Sequence, residues 1–438
     1  MRILKVWEKG FNEKFKSLQH RFPEDKENLE AMIWNIIKNV KERGDLALLE
    51  YTARFDKVNL SQEELQVPEA EIERAWDAAS PKDKEALSLA KERIEKFHRE
   101  ELSHSWIISS TAGEVIGKIV IPLEKVGIYI PGGKASYPSS VLMNAIPARI
   151  AGVSEIILVT PPSLEGDNLP TFAVARLCGI KKVYRVGGAQ AIAALTYGTA
   201  AIPQVDKIVG PGNIFVTTAK KLVAGEVGID MLAGPSEILI VADQSAGPEF
   251  IAADLLSQAE HDEEARVILI TPSENLASQV QEEIKIQMER LPRKKILSLA
   301  VERHGCIIIT DSLFQSVELA NKIAPEHLLL AVEDPFSFLG EVKHAGSVFL
   351  GHFSPVAAGD YLAGPNHVLP TSGTARFSSP LGVYDFLKSF SLTHFNRSQL
   401  KKLGMEIIRL ARLEGLEAHA RSVELRLESE TKDVKLET

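Results

Sequence analysis

The sequence predicts an α/β protein built on two open parallel sheets, with helical arms at both ends. Three observations carry this. From about residue 119, short runs of β-branched and aliphatic residues alternate with helix-length segments. The alternation comes in two sets that meet at Gly234-Pro235-Ser236, and the chain before and after them carries apolar residues at helical spacing. At 438 residues the chain is also too long for one ordinary core.

The elements follow in order. Residues 1–25 read as a polar N-terminal arm with no core of its own. Ile33, Ile36, Ile37 and Val40 then form a helical stripe that Gly44 stops. A second stripe uses Ile72, Ala75, Trp76 and Ala79, followed by Leu87, Ala90, Ile94 and Phe97. The first set of strand-like runs is 119–121, 126–130, 156–159, 183–186 and 207–209, with helices at Ser139–Ile150 and Ile214–Val223. The second set is 238–241, 267–270, 307–309, 328–330 and 348–350. After Tyr384 the chain returns to helices, striped by Leu400, Leu403, Ile407, Leu410 and Leu413, interrupted at Gly415 and ending in a charged tail after Glu428. Such a terminal arm suggests packing against a second subunit.

Composition narrows the function classes. A net charge of −9 and the lack of a concentrated basic block argue against a nucleic-acid surface. The N-terminus mixes apolar residues with charge and has no signal-peptide core, and the uncharged run between Arg185 and Asp206 is too broken by Gly, Pro, Thr and Gln to span a bilayer. Cys178 and Cys306 lie in apolar surroundings without metal or disulfide spacing, so a cytoplasmic protein with buried thiols is expected.

Four stretches carry metal-binding or acid–base side chains: Ser257 to Asp262, Ala324 to His327, Gly359-Asp360, and Glu414 to His419. Gln258 and His261, three apart in an apparently helical segment, are expected on one face. Imidazole and oxygen donors suit a zinc-like ion, and a Glu-His pair left out of the ligand set suits proton transfer. Taken singly, Gln258 and His261 read equally as satisfied polar groups, Asp360 as a turn cap, His419 as a solvent-facing residue and Glu326-His327 as a structural ion pair. Adjacent residues on an extended segment face apart, so Glu326 and His327 are expected to serve different protons unless a turn redirects one. Glycine clusters at 131–133, 187–188 and 210–212 follow strands, but none completes the G-x-G-x-x-G dinucleotide fingerprint.

Taken together, the segments Tyr129-Ile130-Pro131-Gly132-Gly133, Gly187-Gly188-Ala189-Gln190, Val209 to Asn213, Ala233 to Glu237, Gln258 to His261, Pro325-Glu326-His327, Gly364 to His367 and Glu414 to His419 resemble the histidinol dehydrogenase family, in order and over nearly the whole chain. The resemblance implies two incomplete Rossmann-like domains (26–129 with 237–381, and 130–236), a C-terminal dimerisation arm at 382–438, and an intertwined homodimer. It implies oxidation of L-histidinol to L-histidine, through histidinaldehyde, with two NAD⁺ and one Zn²⁺ per subunit. The implied zinc ligands are Gln258, His261, Asp360 and, from the other subunit, His419. Ser236, His367 and Glu414 would join them at the substrate, His327 would accept the proton released with hydride, and Glu326 would activate water. Tyr129, Gln190 and Asn213 would contact NAD⁺. A related zinc- and NAD-dependent dehydrogenase of another small alcohol, such as a sulfonated diol, is the alternative.

Overall fold

A computed structural model of the chain describes residues 1–19, 26–111, 113–132, 137–163 and 169–428. They fall into two compact units, one made of Met1–Leu102 with Leu123–Phe386, the other of Ser103–Pro122 with the chain from Leu387 onward.

The first unit opens with strand β1 (Arg2–Lys5) and helices α1 (Phe11–Gln19), α2 (Lys26–Arg43), α3 (Asp45–Phe55), α4 (Glu69–Ala78) and α5 (Pro81–Arg99). Residues 1–19 of the expected polar arm are therefore structured, and 20–25 lie outside the described residues. β1 pairs in parallel with Cys306–Ile309, and Phe11, Phe15 and Leu18 are buried. Their three- and four-residue spacing within a charged segment is the apolar stripe of a short amphipathic helix, which overall polarity concealed.

A five-stranded parallel sheet follows, formed by β4 (Lys125–Tyr129), β5 (Glu155–Thr160), β6 (Lys182–Arg185), β7 (Lys207–Val209) and β8 (Gly228–Ile229) in the order β6-β5-β4-β7-β8. Helices α6 (Pro138–Ala151), α7 (Leu169–Leu177), α8 (Gly188–Tyr197) and α9 (Ile214–Val223) connect its strands. An expected boundary at 129/130 would cut the central strand β4 away from this sheet. The stripe Ile33, Ile36, Ile37 and Val40 also shares a core with Val186, Ile192 and Val216 of this half. The N-terminal helices α2 and α3 thus belong with the five-stranded sheet and not with the sheet formed by the later strands.

The second parallel sheet contains β9 (Glu237–Ala242), β10 (Arg266–Thr271), β11 (Cys306–Ile309), β12 (His327–Ala331) and β13 (Ser347–Leu350), in the order β1-β11-β10-β9-β12-β13. Its helices are α10 (Pro248–Ala259), α11 (Glu274–Met288), α12 (Lys294–His304), α13 (Leu313–Ile323) and α14 (Val356–Tyr361). β9, β10 and β12 are buried throughout except at Arg266, the mark of strands covered on both faces. Apart from β1, both sheets reverse their strand order beside the first strand, between β4 and β7 and between β9 and β12. The chain leaves the carboxyl end of β8 and enters the amino end of β9 within a few residues, so the carboxyl edge of one sheet is linked directly to the amino edge of the other.

The second unit holds β2 (Trp106–Ser109), β3 (Glu114–Pro122), β14 (Leu387–Phe395), α15 (Arg397–Leu413) and α16 (Glu417–Glu428). Its three strands are antiparallel, in the order β14-β3-β2. Ile119-Val120-Ile121 is therefore not part of a βαβ unit, and the C-terminal segment begins with a nine-residue strand before turning helical. β14 escaped sequence reading because its apolar residues, Leu387, Phe390, Leu392 and Phe395, do not keep the period-two spacing of a strand. The tail after Glu428 lies outside the described residues.

Candidate active site

The Glu326-His327 pair is placed by the end of α13. Ala324 adopts a left-handed conformation (φ 53°) and Pro325 follows it, so the chain turns sharply before β12 begins at His327. The turn brings both side chains to Glu237, the first residue of β9. The Glu237 N–H donates to the Glu326 carboxyl at 2.8 Å, and His327 Nδ1–H donates to the Glu237 carbonyl at 2.9 Å. His327 Nδ1 lies 3.7 Å from the nearest Glu326 carboxyl oxygen. The two side chains do not face apart, because Glu326 precedes the regular strand.

This anchoring decides the imidazole's chemistry. With Nδ1 carrying the proton, Nε2 of His327 is a free base; it is buried and has no hydrogen-bond partner among the described residues. Burial pushes its pKa down to about 4, against the pull of the Glu237 carbonyl, and nearby His367 and His261 disfavour a further cation. Glu326 is pushed well above the usual carboxylate range, chiefly by burial. The Glu237 N–H opposes that shift, while the Glu237 and Asp360 carboxylates add to it. Both shifts favour the uncharged forms, a neutral imidazole beside a carboxyl that holds its proton more tightly than an exposed one.

His327 opens on a cavity of about 340 Å³ lined also by Phe349, Gly359, Asp360, Asn366 and His367. The Asp360 carboxylate lies 4.0 Å from both His327 Nε2 and His367 Nδ1, and burial raises its pKa to about 6. His367 Nδ1–H donates to the Asp360 carbonyl at 2.9 Å, and Ser140 Oγ–H meets Nε2 at 3.3 Å. Burial holds the pKa of His367 down to about 4. Asn366 fastens this loop: its amide donates to the Met143 carbonyl at 2.7 Å and accepts from Val368 N–H at 2.9 Å.

Gln258 occupies the last turn of α10, which ends at Ala259, so His261 lies just beyond the helix. The two remain linked because His261 N–H donates to the Gln258 carbonyl at 3.2 Å. The Gln258 side chain is buried. His261 is surface-exposed, yet the protein around it lowers its pKa, and its charge is felt by His327 and His367. Among the described residues no three His, Cys, Asp or Glu side chains form a metal-holding group. The His261 imidazole, the Gln258 amide and the Asp360 carboxylate are nevertheless N and O donors of the types a zinc ion takes, one short of a closed tetrahedral set. The donor chemistry fits an incomplete site.

The histidinol dehydrogenase family model matches residues 19–427. The chain belongs to the histidinol dehydrogenase family. It is 52% identical to histidinol dehydrogenase of Geobacter sulfurreducens, over 98% of this chain and all of that one. With the enzyme of Syntrophotalea carbinolica it shares 51% over 98% and 99% of the two chains. Its fold superposes on the crystal structure of histidinol dehydrogenase from Elizabethkingia anophelis with a TM-score of 0.92, at 40% identity and with 98% and 99% of the chains covered. It is an oxidoreductase of this kind.

The remaining candidate residues lie in three places. Ser236 immediately precedes β9, next to Glu237, in the link from the five-stranded sheet. Tyr129, Gln190 and Asn213 gather at the carboxyl ends of β4, β6 and β7, the edge where open α/β sheets take ligands. Tyr129 accepts a hydrogen bond from Gly188 N–H at 3.2 Å, and burial pushes its phenol up to about 12. Gln190 is buried, and neither end of its amide has a partner among the described residues. Asn213 caps α9 through its carbonyl oxygen, at 3.1 Å from Phe215 N and 3.2 Å from Val216 N. Its other amide end is therefore the one left for a ligand. Glu414, at the end of α15, and His419, on α16, belong to the second unit and are exposed. Gly133 lies outside the described residues. Cys178 and Cys306 are buried, with thiols pushed up to about 12 and about 11, and neither is a thiolate nucleophile. Sequence reading missed the roles of Glu237, Ser140 and Asn366: two act through backbone hydrogen bonds or beside other side chains, and Ser140 sits in an apolar helix without a motif of its own.

Proposed function

We propose that this chain oxidises L-histidinol to L-histidine, the end of histidine biosynthesis, transferring hydride to NAD⁺ twice with histidinaldehyde held between the steps. The observation that carries the proposal is His327: a buried imidazole whose proton is tied to the Glu237 carbonyl and whose bare Nε2 adjoins the cavity and the Asp360 carboxylate. The cavity volume suits a substrate the size of an amino alcohol. Gln258, His261 and Asp360 are assigned as zinc ligands in this subunit, with His419 supplied by a second copy of the chain. Such an ion supplies a fixed electrophilic anchor for the substrate's nitrogen atoms and so serves orientation.

The steps balance with the residues present. As hydride leaves the carbinol carbon for nicotinamide, the hydroxyl proton passes to His327 Nε2 and a carbonyl forms. Water then adds to the aldehyde carbon. Glu326, in its carboxylate form, takes a proton from that water, and the His327 imidazolium returns its proton to the former carbonyl oxygen. The gem-diol loses a second hydride while His327 again accepts a hydroxyl proton, giving the acid. Ser236, His367 and the partner copy's counterpart of Glu414 hold the substrate, and Tyr129, Gln190 and Asn213 hold the dinucleotide. In the single chain, Trp106, Ile107, Ile108, Leu410 and Leu413 of the second unit are exposed, an apolar burden consistent with a homodimer. The test is to supply zinc-loaded protein with L-histidinol and NAD⁺. Two NADH per histidinol, with histidine as product, is the expected outcome. No turnover of histidinol beside brisk turnover of a sulfonated diol would overturn the substrate assignment.

A further inference from the structure

Lys220 and Asp230 form an ion pair with side chains only 2% and 1% exposed. Both also hold one glycine. Lys220 Nζ donates to the Gly210 carbonyl at 3.0 Å, and the second carboxylate oxygen of Asp230 accepts the Gly210 N–H at 2.8 Å. Gly210 has φ +111°, and a Cβ there would collide with the carbonyl oxygen of Tyr129. The turn after β7 is thus pressed onto the end of β4, at the point where the strand order reverses. Asn213 follows three residues later and starts α9.

Burying two charges is a poor route to stability, since a well-packed apolar pair does as well or better. What an apolar pair cannot do is fix both the donor and the acceptor of a glycine backbone whose conformation no side chain restricts. We propose that Lys220 and Asp230 are positioning residues for the dinucleotide. They lock the Gly210 turn and so set Asn213 and the Tyr129 end of β4 at the spacing the cofactor needs. This rests on the assignment of Asn213 and Tyr129 as NAD⁺ contacts.

The test compares wild type, Asp230→Asn and the double variant Lys220→Met/Asp230→Asn in zinc-loaded protein. It measures melting temperature, NAD⁺ affinity by calorimetry, and KM for NAD⁺ and for histidinol. The single variant leaves an unpaired buried ammonium and should melt earlier; the double variant should recover much of that loss. Both should bind NAD⁺ more weakly, by roughly ten- to a hundredfold given the sensitivity of such sites to small displacements, with KM for histidinol little changed. The double variant decides the matter even if the single one does not fold. Recovery of NAD⁺ affinity together with the melting temperature would reduce the pair to a structural role and overturn the proposal. Wild type that binds no NAD⁺ would overturn the cofactor assignment as well, whereas normal binding by wild type and both variants would overturn the clamp alone.

Discussion

Replacing Glu326 by Gln separates the two halves of the proposed reaction and tests the protonation state on which the site rests. In the fold Glu326 is a buried acid whose pKa stands well above its ordinary 4.5, and its carboxyl accepts the Glu237 N–H at 2.8 Å. Glutamine has nearly the same shape as the protonated acid, and its carbonyl oxygen can keep that bond. A raised folded-state pKa means that stability is fully present below about 4.5 and is lost as pH rises toward the folded value, because the unfolded chain releases a proton that the folded chain retains. Each unit separating the two pKa values is worth about 1.4 kcal/mol. Urea unfolding of metal-free wild type and Glu326→Gln across the neutral range should therefore diverge. Above about pH 5 wild type should lose up to about 1.4 kcal/mol per pH unit relative to the variant. All other titrations are shared, so the difference isolates this one group. With histidinol and NAD⁺, the variant should still perform the first hydride transfer, then stall: aldehyde oxidation should fall by about 10²- to 10⁴-fold, the usual share of a general base. In wild type the aldehyde step should accelerate as pH rises, since the carboxylate is the working form. Parallel unfolding curves, or a variant several kcal/mol less stable at every pH as when a buried ion pair is broken, would refute the reasoning.

Other outcomes follow from the same geometry. His327→Ala should retain zinc, measured by atomic absorption, while NADH formation falls by about 10²- to 10⁴-fold; parallel loss of metal and fold would make the residue structural. In metal-free protein the His327 and His367 rings should remain neutral down to about pH 4 by ring-nitrogen NMR, and midpoints near 6.5 would contradict the burial argument. Because those two pKa values are depressed, their contribution to stability should fade as pH drops below 6.5, whereas that of Asp360, raised to about 6, should fade as pH rises through that value. Mixing His261→Ala with His419→Ala protomers should restore activity in hybrids carrying one intact shared site; no restoration would place His419 outside the partner's site.

The two parallel sheets were legible because strands buried on both faces are unbroken apolar runs, as at Ile238–Val241 and Val267–Ile270. β14 was not, since its apolar residues do not keep the period-two spacing of a strand and resemble loop. The N-terminal arm misled for the opposite reason: a few apolar residues at Phe11, Phe15 and Leu18 suffice to anchor it once the sheet offers β11 as a partner. At the site, residue types and motif order marked Glu326, His327 and Asp360. The convergence of the first two on Glu237 was invisible, because it depends on a left-handed Ala324 and on backbone groups that no motif encodes. The orphaned Nε2 of His327, which supports its proposed role as the base, likewise emerges only when its neighbours are in place.

Anomalous diffraction at the zinc edge, from crystals grown with L-histidinol, tests the central claim most directly. The account predicts one peak per subunit with Gln258, His261 and Asp360 at roughly 2.0–2.2 Å, the partner copy completing the set, and the substrate's carbinol carbon beside His327 Nε2. A cavity without metal after full reconstitution, or an ion bound away from these three side chains, would contradict it.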